Sequence, residues 1–261
     1  MYARVVVGTD GSQRSLRAVP VGSRAAASFG CPLELVHVPA ADDPDDLDLT
    51  GVRVARGADP ASELIRLVSE TDPPGLLCLS SRGRSGLAEV VFGSVTAAVL
   101  RSLHAPLVLT GPALQNPRPR WRRLLVCLDG SDISASILPV VEAWARHLDL
   151  AVRLLHVGYP IGDPRTGDVD VPEEERAAER QIATAARDLE AAGIAVHWSV
   201  DEHTEVAVGI NERASRAGVD LIALATHGRT GLARLIAGSV ASGVIRRASV
   251  PVLTLRPEQL R

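Results

Sequence analysis

The sequence contains itself twice, in the same order. Residues 4–12, Arg-Val-Val-Val-Gly-Thr-Asp-Gly-Ser, match residues 123–131 at five of nine positions, at an offset of 119. The same offset sets residues 33–38 on residues 152–157, with His37 falling on His156. Further on the offset becomes 145. There residues 79–110 match residues 224–255 at twelve of thirty-two positions, among them Gly83/Gly228, Gly93-Ser94/Gly238-Ser239 and Pro106/Pro251. Two ordered blocks of this kind point to a doubled domain. Domain one is placed at 1–111 and domain two at 123–261, joined by a linker at 112–122 that carries Pro112, Pro117 and Pro119. The 261 residues allow two halves, each of about 130 residues and large enough to bury its own core.

Within each half, short β-rich apolar runs alternate with stretches of helical period. The expected strands are residues 3–8, 33–38, 52–55, 76–80 and 107–110, then 123–128, 151–157, 194–200, 220–225 and 250–255. Runs such as Val5-Val6-Val7 suit strands buried on both sides, so the alternation predicts an α/β fold with a parallel sheet and helices on both faces. In the second half a helix after strand two is marked by Pro172, the acidic residues 173–175, an apolar face of Ile182, Ala186 and Leu189, and Gly193 as its cap. The first half lacks room for it. Residues 39–51 carry five aspartates and two prolines there, which predicts a loop. The change of offset, 145 minus 119, is 26 residues, the length of one helix and its turn.

Composition removes several chemistries. All 28 basic residues are arginine, so a Walker A phosphate loop and Schiff-base catalysis are excluded for want of a lysine. Cys31, Cys78 and Cys127 show neither a C-x-x-C pair nor zinc spacing, and suit a reducing cytoplasm. Strand histidines His37 and His156 lack an i+4 partner and are expected to be packed rather than to hold metal. A net charge of −3 gives no positive field for nucleic acid or anionic lipid. The N-terminus lacks the pattern of a signal peptide, and no apolar run is long enough to span a bilayer. No nucleophile elbow, H-E-x-x-H helix or kinase loop occurs. The expectation is a cytoplasmic protein with no nucleic-acid or membrane partner and no catalytic residue.

Two features of each half are expected to meet at the carboxyl ends of the strands, where open α/β sheets bind ligands. One is an aspartate ending strand one, Asp10 or Asp129, followed by Gly-Ser. The other is the segment Ser80-Ser-Arg-Gly83, nine residues, Gly93-Ser94, with its twin Ala225-Thr-His-Gly228, nine residues, Gly238-Ser239. Glycine admits positive φ and close approach of backbone amides, and Gly-Ser opens a helix whose first-turn N–H groups form an anion site without lysine. Arg84 and Arg229 follow the central glycines, where they read either as bidentate phosphate donors or as solvent-facing loop arginines. Read by themselves, the aspartates are Asp-Gly turn residues, the glycines turns or caps, and the serines N-caps.

Each half resembles a universal stress protein domain, whose nucleotide-binding members carry G-x2-G-x9-G-[S/T] after strand four and an aspartate ending strand one. The likeness covers nearly the whole chain. In both copies the first motif glycine is replaced, by Ser80 and Ala225. The resemblance implies two tandem flavodoxin-like, Rossmann-like domains, each an open five-stranded sheet of order 3-2-1-4-5, and ATP with Mg²⁺ as ligand. By the same resemblance Thr9, Asp10 and Val38 surround adenine and ribose, and Gly83, Gly93, Ser94 and Val95 hold phosphates. In the second half Asp129, Val157, Gly228, Gly238, Ser239 and Val240 take those places. Ser80 and Ala225 border the sites. The fifth strands are implied to pair across a two-fold, making an intramolecular pseudo-dimer, with a homodimer open. The function so implied is that of a stress-response regulator or sensor occupied by one or two nucleotides. The alternatives are an interaction scaffold that has lost the nucleotide and a slow ATP hydrolase.

Overall fold

The computed structural model describes residues 1–39, 50–57, 59–81, 92–115, 120–160, 172–226 and 237–257. They form two compact units, Met1–Arg120 with Ile245–Arg256, and Trp121–Val244. Gly83, Gly228, Arg84 and Arg229, the five aspartates of the 39–51 segment and residues 116–119 of the expected linker lie outside the described residues.

The first unit runs β1 (Val5–Gly8), a 3-10 turn (Ser15–Ala18), α1 (Val19–Phe29), β2 (Leu33–His37), β3 (Arg53–Val54), α2 (Pro60–Ser69), β4 (Leu76–Ser80), α3 (Ser94–Ser102) and β5 (Leu107–Thr110). Its strands lie in the order β3-β2-β1-β4-β5, all parallel. Among the described residues no helix stands between β2 and β3. Val5, Val6 and Val7 are fully buried, as a central strand covered on both faces requires. Helix α1 ends at Gly30, whose left-handed φ of 63° lets its N–H cap Ala26 O. Helix α2 starts at Asp59, whose carboxylate accepts from Ser62 N at 2.8 Å, with Pro60 at the first helical position. The unit is completed by β10 (Val252–Leu255), antiparallel to β5 with Leu253 opposite Val108. Gly111 is required there, because a Cβ would collide with Ile245 O.

The second unit runs β6 (Arg123–Cys127), α4 (Asp132–Ala135), α5 (Leu138–Leu148), β7 (Ala151–Gly158), α6 (Glu173–Ala191), β8 (Val196–Glu202), α7 (Val206–Ala217), β9 (Leu221–Ala225) and the start of α8 (Ser239–Arg247). The order β9-β6-β7-β8 is again parallel. Helix α6 stands where the acidic first turn, the Ile182/Ala186/Leu189 face and Gly193 predict it; the three apolar side chains are buried and Gly193 takes a φ of 80°. Asp220 ties the unit's start to β9, its Oδ2 accepting from the amides of Arg122 and Arg123 at 2.8 and 3.0 Å. Trp121, in the last part of the expected linker, stacks on Trp144 with ring centroids 5.8 Å apart. Among the described residues no helix is long and apolar enough to cross a membrane.

Candidate functional site

Both loops after the first strands are built alike. Asp10 Oδ1 accepts from Ser12 N and Asp129 Oδ1 from Ser131 N, each at 3.0 Å, while Gly11 and Gly130 adopt φ of 77° and 87°. These are side-chain turns followed by a left-handed glycine. Asp129 Oδ1 also accepts from Ser131 Oγ at 2.6 Å. Each aspartate therefore shapes its own loop. The histidines anchor the same loops: His37 Nδ1 lies 2.9 Å from Thr9 O and His156 Nδ1 2.9 Å from Leu128 O. A carbonyl only accepts, so both Nδ1 atoms donate. Both rings are buried, as packed strand histidines should be.

The segments after strand four are also twins. Gly93 N donates to Ser81 O at 2.8 Å and Gly238 N to Thr226 O at 2.6 Å. The first helical bonds then run from Ala97 N to Gly93 O and from Ser242 N to Gly238 O. The three amides between, those of Ser94, Val95 and Thr96 and of Ser239, Val240 and Ala241, precede the helical ladder and form the donor set of a helix N-terminus. Two expectations need correction. The N-cap of α3 is Gly93 itself, without a side-chain cap, so Ser94 is the first helical residue. Gly93 has φ −66° and ψ 161°, an extended conformation open to any residue, so positive φ is not why glycine stands there.

In the first unit the structure brings Thr9 and Asp10 to the end of β1, Val38 to the end of β2, Ser80 to the end of β4, and Gly93, Ser94 and Val95 to the start of α3. Thr96 Oγ1 donates to Ser80 O at 2.8 Å, joining the helix to the strand end. Thr9 is buried, with its Oγ1 2.8 Å from Ser15 Oγ and accepting from Gly11 N, so it staples its own loop. Gly57, just after β3, is closed to any larger residue: a Cβ would sit 2.8 Å from Glu63 Cβ.

In the second unit the corresponding residues enclose a cavity of about 270 Å³. Asp129, Val157, Ala225, Gly238, Ser239 and Val240 all line it. It opens beyond the carboxyl ends of β6, β7 and β9, where the chain crosses from one side of β6 to the other. Leu155, Val157, Ile210 and Leu224 supply apolar wall, and α8 presents its first turn. Ala225, at the end of β9, is a buried part of the wall, and its methyl leaves the cavity open.

Sequence reasoning missed the contribution of α6. Glu175 lines the cavity and its Oε2 lies 2.6 Å from His156 Nε2. Gln181, further along the same helix, reaches the loop after β6. The acidic first turn was legible as a complement to the helix dipole; that one of its three glutamates folds inward is set by tertiary packing. Thr226, Tyr159 and Val206 also line the cavity without a signal in the motif. Cys127, half-buried in the wall, has its thiol pushed up to about 12 by burial. Among the described residues no cluster of three or more metal-ligating side chains occurs.

The model of the universal stress protein family matches residues 1–52, 44–111 and 120–256. The chain belongs to the universal stress protein family. A universal stress protein of Mycobacterium tuberculosis is 27% identical over 296 residues, covering 97% of this chain and 96% of that one. One from Methanocaldococcus jannaschii is 30% identical over 151 residues, covering 55% of this chain and 86% of its own. The crystal structure of a universal stress protein from Archaeoglobus fulgidus superposes with a TM-score of 0.67 at 18% identity, covering 98% and 99% of the two chains. That likeness shows the fold, and it spans both halves of this universal stress protein.

Proposed function

We propose that this universal stress protein binds adenine nucleotide, ATP with Mg²⁺, and acts as a stress-response regulator or sensor rather than as a catalyst. The observation that carries the reading is the convergence, on one cavity of about 270 Å³, of apolar walls from β7, α7 and β9 with the first turn of α8. A purine needs flat apolar surface, and a triphosphate needs converging N–H donors; lysine is not needed for either. Magnesium demands few protein ligands when phosphates and water supply the rest. Asp129 and Glu175 are the carboxylates that line the cavity. The open cavity beside Ala225 favours nucleotide binding over a scaffold that has lost it.

The test is calorimetric titration with Mg-ATP, on the intact chain and on Ser239→Asp and Ser94→Asp. An acidic first helical residue suits the helix dipole, so both variants should fold and melt as the parent does. A carboxylate at the anion site should weaken the corresponding nucleotide site by about tenfold or more through like-charge repulsion. Absence of heat and of thermal shift at millimolar ATP overturns the proposal. Retained affinity in both variants shows that the helix mouths do not hold the phosphates.

A further inference from the structure

Helix α6 touches the loop after β6 at three points. Gly130 N donates to Gln181 Oε1 at 3.0 Å, and Gln181 Nε2 donates to Ser131 O at 2.8 Å. The two partners fix the orientation of the amide, since an N–H needs the oxygen and a carbonyl needs the nitrogen. Below them Gly130 packs on the helix itself: a Cβ there would stand 2.9 Å from both Ala178 N and Cα. At the N-terminal end Glu175 meets His156, whose other nitrogen donates to Leu128 O. Residues 128–131, with the cavity-lining Asp129 among them, are thus held from α6 by backbone contact, an amide clamp and a relayed hydrogen bond.

The first unit holds its twin loop differently. There Gly11 N donates to Thr9 Oγ1 within the loop, and among the described residues no helix stands in the place of α6. A loop held from outside at several points keeps its groups near one geometry, and binding then costs less ordering. Resting on the nucleotide reading above, we propose that Gln181 is a positioning residue for the Asp129 loop, and that this clamp makes the second unit the tighter nucleotide site of the pair.

The experiment uses the full chain and Gln181→Met, which keeps the packing of the stem and removes the two backbone hydrogen bonds together with the longer contact of Ser134 Oγ to Gln181 Oε1 at 3.3 Å. Arg187→Ala, an exposed change on the same helix, is the control. Amide hydrogen exchange and Mg-ATP titration are measured on all three. Gln181→Met should speed exchange at Gly130 and Ser131 while leaving Ala186, in the body of α6, protected. It should weaken the tighter ATP site about tenfold, as loss of two neutral hydrogen bonds would, with Arg187→Ala unchanged in both respects. Unchanged exchange at Gly130 and Ser131 overturns the clamp whatever ATP does. Faster exchange with unaltered affinity of the tighter site overturns the assignment of that site to the second unit. A parent chain that binds no ATP defeats the nucleotide reading, and the exchange data still decide the clamp.

Discussion

His156 Nε2 and Glu175 Oε2 lie 2.6 Å apart at the wall of the second cavity, with the imidazole buried and its Nδ1 committed to Leu128 O. Gly158 belongs to the same arrangement: a Cβ there would collide with Glu175 Oε2. Glu175→Ala leaves a buried ring nitrogen without this partner, a loss of about 1–3 kcal/mol. The expected result is a melting temperature lower by several degrees, read by calorimetry. Glu175→Gln, which keeps a hydrogen-bonding group at that atom, should lose less. Equal melting temperatures for Glu175→Ala and the parent would show that the contact is not maintained in solution.

Gly130 and Gly193 both have positive φ, 87° and 80°, but different surroundings. Gly193 has nothing within 4 Å of an added Cβ, whereas Gly130 faces Ala178 backbone at 2.9 Å. Gly193→Ala should therefore cost only the left-handed conformation, about 1–2 kcal/mol. Gly130→Ala adds a backbone collision to the same strain and should cost clearly more. Urea unfolding of the two variants gives the comparison, with the order of the midpoints as the test.

The extent to which the sequence disclosed this architecture follows from the range of the interactions involved. Val5-Val6-Val7 and Leu76-Leu77-Cys78-Leu79 are apolar without alternation, which marks a strand covered on both faces, and all seven are buried in β1 and β4. The Asp-Gly turns and the Gly-Ser helix starts are local too, and the repeat fixed their pairing. Gln181 and Glu175 were not legible, since their partners lie 51 and 19 residues away and nothing in an exposed-looking glutamine or glutamate marks which one turns inward. The closure of Gly57 by Glu63 and the extended φ of Gly93 escaped for a related reason. A glycine announces freedom, and only packing tells whether space or conformation uses it.

Three carboxylates of the first unit should give it acid sensitivity. Asp59 is held below the usual carboxylate range by its hydrogen bonds to Ser62, Glu63 by its bond to Arg66, and Glu70 by its bond to Arg4. Lowered values in the folded state mean that the stabilisation is fully present above the unfolded carboxylate range, about pH 4, and is lost as pH falls through the folded values. Urea midpoints should accordingly drop between pH 6 and pH 3. Asp59→Asn retains an N-cap without a titrating group, and its midpoint should fall less steeply over that interval. A slope identical to that of the parent would remove Asp59 from the account.

Cys127 offers a native probe of the second cavity. It is the last residue of β6, lines the cavity, and has its thiol pushed up to about 12 by burial. The thiolate is the reacting species, and an unperturbed cysteine is half ionised near pH 8.5. At that pH alkylation of folded Cys127 by iodoacetamide should run on the order of a hundredfold slower than in the urea-unfolded chain. Its rate should go on rising through pH 10, where an ordinary thiol has levelled off. Saturating Mg-ATP should slow the folded reaction further, because a filled cavity excludes the reagent. Peptide mass spectrometry distinguishes Cys127 from Cys31 and Cys78. Labelling at the unfolded rate in the native protein would mean that the wall around this sulfur is open to water and that the apolar sleeve assigned to the base does not form.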